Sequence, residues 1–155
     1  MIDWFVEGRI WDATMNRIVM LNEDLESQMR MYLALCPRYR IEIAENELAL
    51  MRVLRRKKPN LLLLDAHYSR FNHNSRSVSK LVEKIKRKYT RLPVLAIVSG
   101  EDERLGEVLT QLGADGWITR RIQIDSLIQR VDDLLQSIPT FVDDGYAPSP
   151  EEVLA

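Results

Sequence analysis

The residues of this chain that could do chemistry stand at the ends of its apolar runs. Glu23 and Asp24 follow "RIVML" in the stretch "LNEDLES", and Asp65 closes "PNLLLLD". Ser99 opens "SGED" after "PVLAIV", while Arg120 follows "GWIT", a run that contains Trp117. A carboxylate that ends a block of four leucines is costly in a core unless something pairs with it. Three carboxylates brought to one place repel each other, and a hard divalent cation with oxygen ligands is the usual relief. A hydroxyl and a cation beside them are suited to hold the oxygens of a phosphoryl group.

The elements that must position these residues follow from hydrophobic periodicity. "RIVML" is a β-branched run and reads as a strand. From Leu25, apolar residues recur at Met31, Tyr32, Leu35 and Cys36, which predicts a helix ended by Pro37. "YRIEIAE" alternates as a strand does, and Leu48, Met51 and Leu54 predict a second helix closed by Pro59. "LLLL" is continuously apolar, as a strand covered on both faces must be. Val78, Leu81, Val82, Ile85 and Tyr89 keep helical spacing. "PVLAIV" reads as a fourth strand, followed by a short helix through Leu105, Val108, Leu109 and Leu112 with Gly113 as its stop. "GWIT" is the fifth strand. Ile124, Leu127, Ile128, Val131, Leu135 and Ile138 make the last helix, with Asp125 near its start and Pro139 just past its end.

This alternation predicts an α/β fold, (βα)5, a doubly wound five-stranded parallel sheet with right-handed crossovers. Sites in such sheets lie at the carboxyl ends of the strands, and that edge is where the acids, the hydroxyl and the cation fall. Residues 17–138 form this unit. Residues 1–16 are an apolar extension carrying Trp4, Phe5, Ile10 and Trp11, expected to pack on the domain or on a partner. Residues 139–155 are a tail, or the start of a further element, in which Ser149, Pro150 and two glutamates read as a helix start.

Composition narrows the class. With 155 residues, 46% of them hydrophobic and 29% charged, the chain is of globular type and of single-domain size. No apolar run approaches the roughly 20 residues that span a bilayer, and "MIDWFVEGRIWD" lacks the uninterrupted apolar core of a secretory signal. The lone Cys36 excludes an internal disulfide and suits a reducing compartment, so a cytoplasmic location is expected. The net charge of −1 conceals an asymmetry. Residues 52–91 hold 13 Lys and Arg against Asp65 and Glu83, a balance of +11, which leaves −12 elsewhere. No aromatic interleaving accompanies those cations, so they read as solvated helix surface rather than as a nucleic-acid face.

Taken together in their order, the "ED" pair, "PNLLLLD", "SG" and "LGADGWITR" resemble the receiver domain of bacterial two-component response regulators over residues 17–138. The resemblance implies a flavodoxin-like phosphorylation switch. It makes Asp65 the phosphoacceptor and assigns Mg²⁺ to Glu23, Asp24, Asp65 and the backbone carbonyl of His67. Ser99 takes the place of the switch hydroxyl, Trp117 that of the switch aromatic, and Arg120 that of the conserved cation. The partner it implies is a sensor histidine kinase or a phosphotransfer protein, with a homodimer as one allowed assembly. Neither membrane nor nucleic-acid binding is expected of the domain itself.

Several residues depart from that pattern. Arg120 stands where the family has lysine, and Arg121 where it has proline; arginine is planar and longer, so the change is not conservative. The loop "AHYSRFNHNSRS" after Asp65 lacks the common proline and glycine. Counting back from "GAD" points to Val98 instead of Ser99; Ser99 is preferred because a loop one residue shorter restores "SG". A second register pairs Asn22 with Glu23; the Glu23–Asp24 register is preferred because it places Met31, Tyr32, Leu35 and Cys36 on the core face. His67 and His73 read as loop residues, since no cysteine or third histidine joins them as ligands. The rival functions are a phosphorylation-independent pseudo-receiver adaptor and the regulatory half of a DNA-binding regulator. An aspartyl phosphatase is disfavoured, because His67 stands where its second acid would be needed; the chain is not expected to be an enzyme.

Overall fold

The computed structural model describes residues 16–67 and 75–137. Five strands and five helices alternate through them: β1 (Arg17–Leu21), α1 (Leu25–Leu35), β2 (Arg40–Ala44), α2 (Glu47–Lys57), β3 (Leu61–Asp65), α3 (Ser75–Lys88), β4 (Val94–Val98), α4 (Glu103–Gln111), β5 (Gly116–Thr119) and α5 (Ile124–Ser137). The strands form one sheet in the order β2-β1-β3-β4-β5, and every neighbouring pair is parallel. The expected architecture is therefore the one present. The apolar flank (Trp4, Phe5, Ile10, Trp11), His73, the loop at 68–74 and the tail from 138 lie outside the described residues.

The pleat sorts the core into two layers, because successive side chains of a strand point to opposite faces. Leu62 and Leu64 of β3 join Val19, Val94 and Ala96 in a layer with Leu50 and Leu54 of α2, Val82 and Ile85 of α3, and Leu109 of α4. Leu61 and Leu63 join Ile18, Met20, Leu95 and Ile97 in the other, with Met31 and Leu35 of α1 and Leu127 and Val131 of α5. The central position of β3 explains "LLLL": a strand flanked on both edges and covered on both faces has no polar side to show. The edge strand β2 is mostly exposed or half-buried instead.

Helix faces differ from expectation in detail. On α1, Met31 and Leu35 are buried together with Ser27, but Tyr32 is exposed and Cys36 only half-buried. Leu48 of α2 and Val108 of α4 also face solvent, and Leu50 takes the inward place on α2. Tyr32, Cys36 and Val108 each stand one step from a buried residue and Leu48 two steps, where 3.6-residue periodicity from sequence cannot tell an inner from a flanking position.

Stops and caps are local. The Asn46 side chain accepts a hydrogen bond from the Ala49 N–H and starts α2, whose end is marked by Lys58 at φ 47, in the left-handed region, just before Pro59. Gly113, at φ 124, follows α4 in a conformation that a side chain would strain. At the amino end of the sheet, Asp115 Oδ2 accepts from the Val94 N–H at 2.8 Å and from Lys86 Nζ at 2.9 Å. The same ammonium donates to the Leu92 carbonyl at 2.7 Å, so one acid ties α3 to the starts of β4 and β5.

Candidate functional site

The strand register brings the candidate residues to one edge. Leu21 of β1 is the partner of Leu64, so Asn22, the next residue, comes level with Asp65. Asp65 is the partner of Ile97 in β4, and Ile97 that of Ile118 in β5. By alternation Asp65 shares the face of Leu61 and Leu63, which is the face packed by α1 and α5. Arg120, two residues beyond Ile118, and Ser99, two beyond Ile97, follow the same parity. Val98 belongs to the opposite layer, completely buried.

Asp65 is the chemical centre of this edge. Its side chain has no solvent exposure. Its Oδ1 accepts from the His67 N–H at 2.9 Å, and its Oδ2 accepts from Arg120 Nη2 at 2.8 Å. Burial pushes its carboxyl above the usual carboxylate range, opposed in part by the His67 N–H and by the Arg120 guanidinium. Charge-assisted bonds of this kind are the strong class of protein hydrogen bond.

Arg120 is itself held by α1. Its N–H donates to the Val98 carbonyl at 3.0 Å, which extends the β4–β5 ladder by one step. Its carbonyl accepts from Arg30 Nη1 at 3.2 Å, and Arg30 Nη2 also donates to the Ile122 carbonyl. Arg30 thus anchors the turn that aims Arg120 at Asp65. The sequence reading missed Arg30, because a lone arginine inside an amphipathic helix reads as solvated surface. The Arg120 side chain is 29% exposed, yet its Nε is buried without a hydrogen-bond partner among the described residues.

The strand-one acids are placed differently from one another. Asp24 is the N-cap of α1, with Oδ2 accepting from the Ser27 N–H at 3.0 Å. Glu23 is exposed. The buried polar residue at this strand end is Asn22, 2% exposed. Its Oδ1 accepts from the Asp24 N–H at 2.9 Å, its Nδ2 donates to Ser27 Oγ at 3.1 Å, and its carbonyl accepts from Gln28 Nε2. Among the described residues no group of three or more His, Cys, Asp or Glu side chains is placed to hold a metal ion. The donor set therefore does not present the three-carboxylate cluster expected from sequence: an amide stands beside Asp65, and a guanidinium occupies one of its oxygens.

A cavity of about 700 Å³ opens over this edge, lined by Asp24, Ser27, Arg30, Ser99, Thr119 and Arg120 among others. Ser99 is half-buried there, its carbonyl accepting from the Asp102 N–H at 3.0 Å. The ring of His67 approaches Asp102 Oδ2 at 3.9 Å through Nε2, which is buried and has no hydrogen-bond partner among the described residues.

Trp117 is on the other side of the sheet. It packs with the layer of α2, α3 and α4, directly against the backbone of α4 at Gly106. A Cβ at Gly106 would lie 2.5 Å from Cδ2 and Cγ of the indole, so this glycine is required by the close approach of the ring. Gly106→Ala is expected to displace Trp117 and to cost about 1–3 kcal/mol through overpacking. The check is Trp117 emission, with Trp4 and Trp11 replaced by Phe, beside a denaturant melt. An unchanged spectrum at unchanged stability would show that the ring does not lean on α4.

No family model matches the sequence, and no curated protein does. Solved structures do. The chain is similar to NtrX from Brucella abortus, solved in complex with ADP, at 17% identity and a TM-score of 0.69, over 80% of this chain and 27% of that one. It is similar to a response regulator from Thermotoga maritima at 20% identity and a TM-score of 0.69, over 79% of this chain and 98% of that one. The receiver domain of a Bacteroides fragilis two-component response regulator gives the same identity, TM-score and coverage. The fold is that of a receiver domain.

Proposed function

We propose that this receiver-fold chain is a signalling module that works by protein contact, its strand-end face held in one state by the Asp65–Arg120 ion pair. The observation that carries this reading is the 2.8 Å bond from Arg120 Nη2 to a carboxylate with no solvent exposure. A carboxylate nucleophile needs a free oxygen and relief from charge repulsion as it meets a phosphoryl donor. Here one oxygen is taken by a backbone N–H and the other by a guanidinium. The cation that stabilises the carboxylate is already part of the chain. On this reading the module performs no catalysis, and a partner reads the shape and charge of the face around Asp65.

A second reading keeps Asp65 as phosphoacceptor, with a sensor histidine kinase or phosphotransfer protein as donor and Mg²⁺ held by Glu23, Asp24, Asp65 and the His67 carbonyl. The buried, unpartnered Nε of Arg120 favours it, because an arriving phosphoryl oxygen would supply the missing acceptor. Ser99 at the cavity wall could donate to another oxygen.

Intact mass after incubation with acetyl phosphate and Mg²⁺ separates the two. The contact-only reading expects no phosphoryl increment in the wild type and none in Arg120→Lys. A stable increment in the wild type that Asp65→Asn abolishes would replace it with the second reading. Uptake by Arg120→Lys alone would show that the guanidinium is what silences Asp65.

A further inference from the structure

We propose that residues 138–155 dock back onto this chain, in a basic-rimmed apolar cavity at the amino end of the sheet, opposite Asp65. This inference is independent of how Asp65 functions. The cavity holds about 360 Å³, with Leu54, Leu92 and Leu135 in its walls, Tyr89 beside them, and Lys58 and Arg91 at its margin. It lies under the starts of β3 and β4, where Asn60 and Pro93 also line it.

Topology makes this mouth positive. Both α2 and α3 end here, and their last turns carry Arg55, Arg56 and Lys57, and Lys86, Arg87 and Lys88. Lys57 is committed to Glu42 and Lys86 to Asp115. Lys58 and Arg91 line the opening and are exposed, as are Arg55, Arg56 and Arg87 on the helix turns just before them. Part of the positive charge of residues 52–91 is thus gathered, in three dimensions, at the end of the sheet where this apolar pocket opens.

The occupant follows from where the chain goes next. Helix α5 runs down the sheet to this same end, and Leu135 already forms part of the cavity wall. The sequence that follows α5 is "IPTFVDDGYAPSPEEVLA", which has four acids and no Lys or Arg. Phe141 and Val142 lie six and seven residues beyond Leu135, a reach of at most about 20–25 Å at roughly 3.3–3.6 Å per residue. They can fill the apolar pocket while Asp143 and Asp144 fall at the rim. A tether this short holds its ligand at an effective concentration of order millimolar, ahead of free anions or a second copy.

The test uses the full chain, ¹⁵N-labelled, with Cys36→Ser and a nitroxide on Ser149→Cys. Docking predicts loss of the amide signals of Lys58, Tyr89, Arg91 and Leu92, while those of Ala66 and Arg120 at the far end persist. Lys58→Glu with Arg91→Glu should bring the lost signals back, and adding Asp143→Lys with Asp144→Lys should remove them again. The remaining amide spectrum reports whether each variant is folded. Retained signals in the labelled parent would overturn the proposal. So would the same loss in nitroxide-free ¹⁵N chain mixed with nitroxide-bearing ¹⁴N chain, since the tail would then be binding another copy.

Discussion

Arg120→Ala is expected to lower the unfolding free energy at pH 7 by about 2–4 kcal/mol, and by less than about 1 kcal/mol once Asp65 is asparagine. The first figure is below the full cost of breaking a buried pair, because Arg120 is 29% exposed and water can reach part of the vacated space. What remains is a carboxylate with no solvent exposure and, among the described residues, only the His67 N–H to stabilise it. In the Asp65→Asn background that charge is absent, so the guanidinium has little left to offset. Urea melts of the four proteins complete the cycle; equal losses from Arg120→Ala in both backgrounds would mean that the arginine acts through packing and not through Asp65.

The same carboxylate sets a pH dependence. Its folded-state pKa is raised, by burial first, above the ordinary value of 3.8. The folded chain therefore binds this proton more tightly than the unfolded chain. The contribution of Asp65 to stability is full below pH 3.8 and is lost as pH rises through the elevated folded value. Asp65→Asn should accordingly be more stable than the wild type at pH 7, with the gap closing as the pH falls toward 3.8. Arg120→Ala removes one of the influences that lower the pKa, so its loss of stability should extend to higher pH than in the wild type.

Asn22→Leu should cost about 2–4 kcal/mol, although leucine is the more apolar residue at a position 2% exposed. The Asn22 side chain accepts the Asp24 N–H and donates to Ser27 Oγ. Leucine strands both groups, at about 1–3 kcal/mol for each buried polar atom left unpaired. Asp24 and Ser27 also make the N-cap bond of α1, so the first turn of the helix should fray, and hydrogen exchange there should rise more than in α5. Asn22→Asp makes the complementary test. It places a second carboxylate level with Asp65, destabilising without Mg²⁺ through like-charge repulsion and recovering stability when Mg²⁺ is added. Failure of Mg²⁺ to restore any stability would show that the edge cannot gather a metal even with the extra acid.

The order of elements was legible from sequence because it rests on local physics. Alternating periods, a continuous leucine run for a doubly covered strand, Pro59 and Gly113 at helix ends, and the bracketing of each strand by polar residues all act within a few residues. That Asp65 and Arg120 share an edge also followed, since parallel strands place every strand end on the same side. What sequence could not decide was which polar residue near a strand end turns inward. Asn22, Glu23 and Asp24 are consecutive, and a single step of pleat or cap geometry sends one into the core, one into water and one onto a helix terminus. The same holds for Arg30, whose value as an anchor depends on carbonyls 90 and 92 residues away, and for Gly106, which is small only because Trp117 crosses from another strand to lie on it. Periodicity specifies faces and order; pairings across tens of residues depend on how the faces close, and only the tertiary structure decides that.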